Sequence, residues 1–296
     1  MTPGDVSAAL TAHGYLPNDG LTTSVFLAMQ LRRPLLLEGE AGVGKTELAK
    51  VLSAWTGGEL IRLQCYEGID AAQAVYDWDY ARQLLHLRAA EATGETAGRS
   101  SDAVEAELYQ ERFLIKRALL RAIGHGDGPP PVLLIDEVDR ADDEFEAYLL
   151  EVLSDYQITV PEIGVFRRDP ADRHPHEQPH RDVHDALKRR CLYHWVEHPD
   201  FERGRDRAAA GPECSDELAR QVAAAVEAMR DLNLYKPPGV AETIDWATAL
   251  GKLGVSRLDQ HSVETTLGTV LKYREDHDRV RKGGTQLLLE QALARR

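Results

Sequence analysis

Residues 39–46 read Gly39-Glu40-Ala41-Gly42-Val43-Gly44-Lys45-Thr46 and match G-x-x-x-x-G-K-[ST] at every position. An apolar run, Pro34-Leu35-Leu36-Leu37, precedes them. Leu48, Val51, Leu52 and Trp55 follow at helical spacing until Gly57-Gly58 stops the pattern. Strand, glycine loop and amphipathic helix in that order suit one task. Backbone N–H groups wrap a polyphosphate, and glycines permit the turn and the close approach. The start of the helix adds its positive dipole end. Lys45 then reaches the β- and γ-phosphates and the Thr46 hydroxyl ligates magnesium, which points to ATP with Mg2+. The plainer alternative is a glycine-rich surface turn carrying a lysine. The complete eight-residue match in strand–loop–helix context disfavours it.

A second apolar run, Val132-Leu133-Leu134-Ile135, has the continuous character of a strand buried on both faces of a parallel sheet. It leads directly into Asp136-Glu137. A carboxylate at the C-terminal end of a central strand lies beside the phosphate loop in an open α/β sheet. Asp136 is therefore expected to hold magnesium, and Glu137 to polarise the attacking water as a general base. Asp142, Asp143 and Glu144 follow closely, so helix-start acids on a solvated loop are the bland reading.

The 296 residues suffice for one large α/β domain and a small second one. Two short helices are expected before residue 30, broken at 13–20. A short strand is expected at 60–63, mostly helical chain over 70–126 with a surface loop at 93–101, and a hairpin at 156–165. The C-terminal part differs in kind. Leu218, Val222, Val226 and Met229 form one helical stripe, and Val263, Leu267, Val270 and Leu271 another, with no strong strand after Val196. Strands alternating with helices, then helices alone, predict an α/β core over 1–205 and an all-helical domain over 212–296.

Cys65, Cys191 and Cys214 are odd in number and far apart, which excludes a disulfide framework. No signal-peptide layout or membrane-length apolar run is present, so the expected location is the cytoplasm. A net charge of −14 argues against broad nucleic-acid or anionic-membrane binding and favours protein and small-molecule partners.

The two motifs together resemble the AAA+ ATPases, and the words around them resemble the MoxR family. Asp136-Glu137-Val138-Asp139-Arg140-Ala141 is similar to that family's extended Walker B segment. Ile158-Thr159-Val160-Pro161-Glu162-Ile163-Gly164 is similar to its hairpin, and Tyr235-Lys236-Pro237-Pro238-Gly239-Val240 to its lid. Asp185-Ala186-Leu187-Lys188-Arg189-Arg190 resembles the helix end carrying the arginine finger. The resemblance covers nearly the whole chain and is closest to the branch associated with carbon monoxide dehydrogenase maturation. It implies a P-loop core with a helical lid and a homo-oligomeric ring, typically a hexamer, with ATP at subunit interfaces. It also implies a partner bearing a von Willebrand factor A domain, and chaperone-like work in metalloenzyme maturation. Arg190 matches the finger that reaches a neighbour's γ-phosphate, with Arg189 the close second. A planar guanidinium grips phosphate in two places. The alternative for both arginines is a solvated helix end favoured by the dipole.

Two stretches depart from the pattern. The family's next buried strand ends in an asparagine, sensor 1, which positions the hydrolytic water. Residues 167–181 instead hold three prolines and no large apolar side chain, so no central strand is expected there. Read one base out of frame with GC-rich codons, 168–181 becomes ATPPIVILTSNRT, an apolar strand ending in Ser-Asn. The same shift turns 204–212 into AAIVRRRVP. Compensated frameshifts are one explanation. A zinc or nickel site from His174, His176, His180 and His184 is another, and a plain surface loop a third. In the lid, Thr243 stands where relatives often carry a sensor 2 arginine.

The leading functional expectation is a ring ATPase that remodels a partner protein. A nucleotide-binding scaffold with weak or no hydrolysis is the alternative, because sensor 1 is missing or frameshifted. A small-molecule kinase shares the phosphate loop, but the Asp-Glu pair, the paired arginines and the helical C-terminal domain stand against it.

Overall fold

The computed structural model describes residues 1–40, 42–94, 99–124, 126, 128–167, 175–178, 185–197 and 214–294. Nine strands occur among them: β1 (Leu35–Glu38), β2 (Leu60–Gln64), β3 (Tyr76–Trp78), β4 (Leu114–Lys116), β5 (Val132–Asp136), β6 (Gln157–Val160), β7 (Gly164–Arg167), β8 (Pro175–Gln178) and β9 (Leu192–Trp195). The described helices in the first two-thirds of the chain are α1 (Pro3–Ala12), α2 (Asp19–Leu31), α3 (Lys45–Thr56), α4 (Ala71–Ala74), α5 (Tyr80–Thr93), α6 (Ser101–Leu108), α7 (Ala118–Ile123), α8 (Asp143–Asp155) and α9 (Asp185–Arg190). Then come α10 (Asp216–Arg230), α11 (Val240–Lys252), α12 (Gln260–Val270) and α13 (Arg274–Ala294).

Helix starts follow local chemistry. Thr2 and Asp5 form a reciprocal capping box ahead of α1, with Pro3 at its first position. Asp142 caps α8 by accepting from the Phe145 N–H at 2.9 Å.

Five strands form one sheet in the order β2-β5-β8-β1-β9. The pairs β2–β5, β5–β8 and β1–β8 are parallel. Every residue of β5 is buried, as its unbroken apolar run requires.

β8 corrects an expectation. Pro175, His176, Glu177 and Gln178 lie in the middle of the sheet. Leu134 pairs with His176 on one side, and Leu35 with His176 on the other. A ladder is made by backbone N–H and C=O groups, so a polar sequence can occupy it. Proline is tolerated as the first residue of a strand, and Pro175 opens this one while Pro179 follows its last residue. A central strand is therefore present between β5 and β1. It carries polar residues and ends at Gln178. His174, His180, His184 and the stretch 204–212 lie outside the described residues.

The described part of 70–126 is mostly helical, as expected, and also carries two short strands. β3 and β4 pair antiparallel, Tyr76 with Lys116 and Trp78 with Leu114, and bracket α5 and α6. Aromatic residues pack around β3 rather than across the pair. Trp78 makes edge contacts with Tyr76 and Tyr109, at ring-centre distances of 6.4 and 5.1 Å.

The backbone divides into two compact units: Met1–Glu38 with Thr46–His194, and Gly39–Lys45 with Trp195–Arg296. The first has a core that includes Leu36, Ile61, Leu133, Ile135, Phe145, Leu149 and Leu187. The second buries both predicted stripes around Trp246, whose indole N–H donates to Thr266 Oγ1 at 2.7 Å. A buried carboxylate in it is paired. Asp276, 0% exposed, accepts from the backbone N–H groups of Tyr235 and Lys236 at 2.7 and 3.1 Å. Among the described residues, no helix is long and apolar enough to cross a membrane.

Candidate nucleotide site

β1 ends at Glu38 and the chain turns at once into the glycine loop. Gly39 has φ 151°, and a Cβ there would lie 2.4 Å from the Val196 carbonyl oxygen. No other residue fits that position without moving the backbone. Gly42, at φ 79°, accepts at its carbonyl from the Val240 N–H at 3.0 Å, which ties the loop to the start of α11. Lys45 is only 5% exposed. Its ammonium donates to the carbonyls of Gly39 and Glu40, at 2.7 and 2.8 Å, and is thereby held over the loop. Val43 is buried and anchors the loop by its side chain. Ala41 lies outside the described residues. Thr46 follows in the first turn of α3.

On the other motif, Asp136 is the last residue of β5 and is 6% exposed. Its Oδ2 accepts from Nη2 of Arg62 on β2, and the same Nη2 donates to Gln64 Oε1 at 2.7 Å. Register explains the meeting, because Gln64 pairs with Asp136 and Arg62 with Leu134. Glu137 sits in the left-handed region at φ 55°, ψ 42°. Such a backbone costs about 1–3 kcal/mol in a non-glycine residue and clusters at functional sites. Its carboxylate is 3.0 Å from Arg140 Nε. The hydroxyl of Thr46 and the carboxylate of Asp136 are hard oxygen donors of the kind Mg2+ takes. They fit that ion by chemistry.

Arg189 and Arg190 are exposed at the end of α9. Their carbonyls accept from a single guanidinium, that of Arg33: Nη2 to Arg189 at 2.8 Å and Nε to Arg190 at 3.1 Å. Lys188 lies 3.0 Å from Glu38 Oε1, and Tyr193 donates its hydroxyl to Glu38 Oε2 at 2.9 Å. Burial, and then the bond to Glu38, push the Tyr193 hydroxyl above its ordinary range.

Thr243 is buried, and its hydroxyl donates to the Gly239 carbonyl at 2.7 Å within its own helix start. Arg230, donating to the Pro238 carbonyl at 2.9 Å, is the partly buried cation of this region. Burial lowers its pKa, against the opposing pull of Glu227, Glu40 and Glu242.

Residues 34–191, more than half of the chain, match the family described as "AAA domain (dynein-related subfamily)". The chain belongs to this family. It is a nucleotide-binding AAA+ ATPase domain, and its fold is the AAA+ P-loop NTPase fold with helices at the C-terminal end, as the sequence predicted. The matched segment of this AAA domain runs from one residue before β1 to one residue past Arg190. Among solved structures, the chain is similar to a point mutant of RuvB from Thermotoga maritima, at 14% identity and a TM-score of 0.48, covering 94% of this chain and 73% of that one. It is also similar to the Thermotoga maritima RuvB Holliday junction branch migration motor, at 16% identity and a TM-score of 0.45, covering 84% of this chain and 66% of that one.

Sequence reasoning did not find Arg62, Glu38 or Arg33. The signals were faint. Arg62 and Gln64 alternate on the outer side of a half-buried strand, and Glu38 is a charge closing an otherwise apolar one.

Proposed function

We propose that the chain binds Mg-ATP and hydrolyses it to drive the remodelling of a partner protein, as a member of the MoxR branch. The observation that carries this is the pairing of two motifs in one chain. A glycine loop has its lysine held across it at 2.7 and 2.8 Å, and a buried strand ends in Asp136-Glu137. Residues 39–46 take the triphosphate through backbone N–H groups, and Lys45 turns from its own carbonyls to the phosphate oxygens. Mg2+ supplies charge neutralisation of the phosphates when bound, and Thr46 and Asp136 are the residues to hold it. Glu137 takes the proton of the attacking water. Arg190, with Arg189 beside it, serves the neighbouring subunit of a homo-oligomeric ring, which we take to be a hexamer. We read 1–205 as the nucleotide-binding core and 212–296 as a helical lid domain.

The experiment is steady-state phosphate release with two variants. Glu137→Gln is expected to lower kcat by about 10²- to 10⁴-fold while ATP remains bound. Lys45→Ala is expected to abolish nucleotide affinity. Equal activity in wild type and Glu137→Gln would remove Glu137 from the mechanism, and unchanged affinity in Lys45→Ala would remove the loop. Affinity capture with Glu137→Gln, followed by mass spectrometry, tests the further reading. A cytoplasmic partner with a von Willebrand factor A domain and a metalloenzyme client, carbon monoxide dehydrogenase first, are the expected captures.

A second reading, a nucleotide-binding scaffold with weak hydrolysis, is favoured by one observation. The strand beside β5 ends in Gln178, paired in register with Asp136, where the family resemblance leads to Ser-Asn. Binding without turnover in the wild-type chain is its signature.

A further inference from the structure

We propose that Glu38 and Lys188 form the link through which a subunit's own phosphate loop positions the arginine that the same subunit presents to its neighbour. This rests on the reading of Arg190 or Arg189 as a trans-acting finger.

Five contacts carry it. Glu38 is the last residue of β1, directly before Gly39. Its Oε1 is buried and meets Lys188 Nζ at 3.0 Å, with the two side chains 17% and 31% exposed. Its Oε2 accepts from Tyr193 at 2.9 Å, just beyond the finger-bearing turn. The two carboxylate oxygens thus grip the chain on either side of Arg189 and Arg190. At the opposite end of the same four-residue strand, Arg33 binds the backbone carbonyls of both arginines. Leu192 then joins the sheet by donating to the Pro34 carbonyl at 2.7 Å. Leu187 is fully buried and leaves α9 little freedom to slide on its own.

The consequence is mechanical and electrostatic. An exposed ion pair is nearly worthless as a tether, because water and salt screen it. Here a buried carboxylate oxygen depends on one ammonium, so displacing Lys188 leaves that oxygen without compensation. A triphosphate that orders the loop must fix Glu38, the residue feeding it. Fixing Glu38 fixes Lys188, and with it the arginines one and two residues later. Loop occupancy and finger placement thereby become coupled, and couplings of this kind are worth about 5- to 150-fold.

The test uses mixed assemblies of full-length subunits. The acceptor subunit carries Arg189→Ala with Arg190→Ala: it binds ATP but offers no finger. Two donor subunits offer an intact finger and no turnover, Glu137→Gln with a loaded loop and Lys45→Ala with an empty one. ATP turnover by the acceptor then reports the donor's finger alone. The loaded donor is expected to restore turnover at least about 5-fold more than the empty donor. Lys188→Met in both donors should erase that difference, and Lys188→Arg should preserve it. In the acceptor, which has no finger to place, Lys188→Met should leave the ratio between restoration by the loaded and the empty donor unchanged. Fluorescent-nucleotide binding to the Glu137→Gln, Lys188→Met donor confirms that it is folded and loaded. Equal restoration by loaded and empty donors overturns the link, as does a difference that survives Lys188→Met. If the acceptor alone hydrolyses at the wild-type rate, or no donor restores it, the trans-acting finger itself fails, and the link falls with it.

Discussion

Arg62 shows how one side chain can matter to a site without belonging to its motif. Asp136 is 6% exposed, and a buried carboxylate is costly unless something compensates its charge. Arg62 supplies that compensation from the neighbouring strand, and its own side chain is 54% exposed, so the pair is partly screened. Arg62→Ala is therefore expected to cost about 1–2 kcal/mol in urea unfolding, at the lower end for a broken buried pair. Mg2+ is the other cation that can answer Asp136. The rise in Tm on adding Mg-ATP should thus be larger in Arg62→Ala than in wild type, and a smaller rise would show that Arg62 positions the Asp136 carboxylate for the metal instead. The contact spans 74 residues of sequence, which is why no local pattern revealed it. Gly39, Lys45 and Asp136 were legible because their chemistry is written in consecutive residues. The strained backbone of Glu137 was not, since no residue type announces a φ of 55°.

Elements show the same division. The capped and striped helices α8, α10 and α12 were readable from the 3.6-residue period. The β3–β4 pair was not, because each strand has only three residues, too few for a period to appear. The segment between those strands carries its own electrostatic tie. Glu107 on α6 accepts from Arg99 at 2.6 Å, meets His86 of α5 at 2.8 Å, and accepts from Arg112 at 2.9 Å. Bonds to Arg99 first, then to His86 and Arg112, draw its pKa from the ordinary 4.5 to about 2. A carboxylate with a depressed folded pKa stabilises above its unfolded value and loses that contribution as pH falls through the folded one. The tie should be intact at neutral pH and weaken between pH 4.5 and about 2. Comparing the acid dependence of Tm in wild type and Glu107→Gln reads it directly. The variant should lie below wild type at pH 7 and converge with it near pH 2. Parallel curves would mean that Glu107 contributes nothing through its charge.

At the scale of the molecule, β8 is the instructive strand. It joins β5 to β1 and so holds together the two strands that lead into the chemical motifs. Polar residues at this place make the centre of the sheet depend on backbone bonding without an apolar contribution from large side chains, each worth about 1.5–3 kcal/mol when buried. A chain carrying ATPPIVILTSNRT in place of residues 168–181 is therefore expected to melt at higher temperature and to hydrolyse ATP faster. Calorimetry and phosphate release measure both. No gain in either would show that the polar strand is the working one. Resequencing the gene tests the frameshift separately. By itself the sequence determined the strand–loop–helix motif, the strand-end acidic pair, the AAA+ class and the succession from α/β chain to helices, because each is encoded by neighbours along the chain. Only the tertiary structure decided that a proline-led polar segment could be a central strand, that Arg62 answers Asp136, and that Glu38 reaches Lys188. Those outcomes depend on groups far apart in sequence meeting in space, and on backbone hydrogen bonds that every residue type except proline can donate.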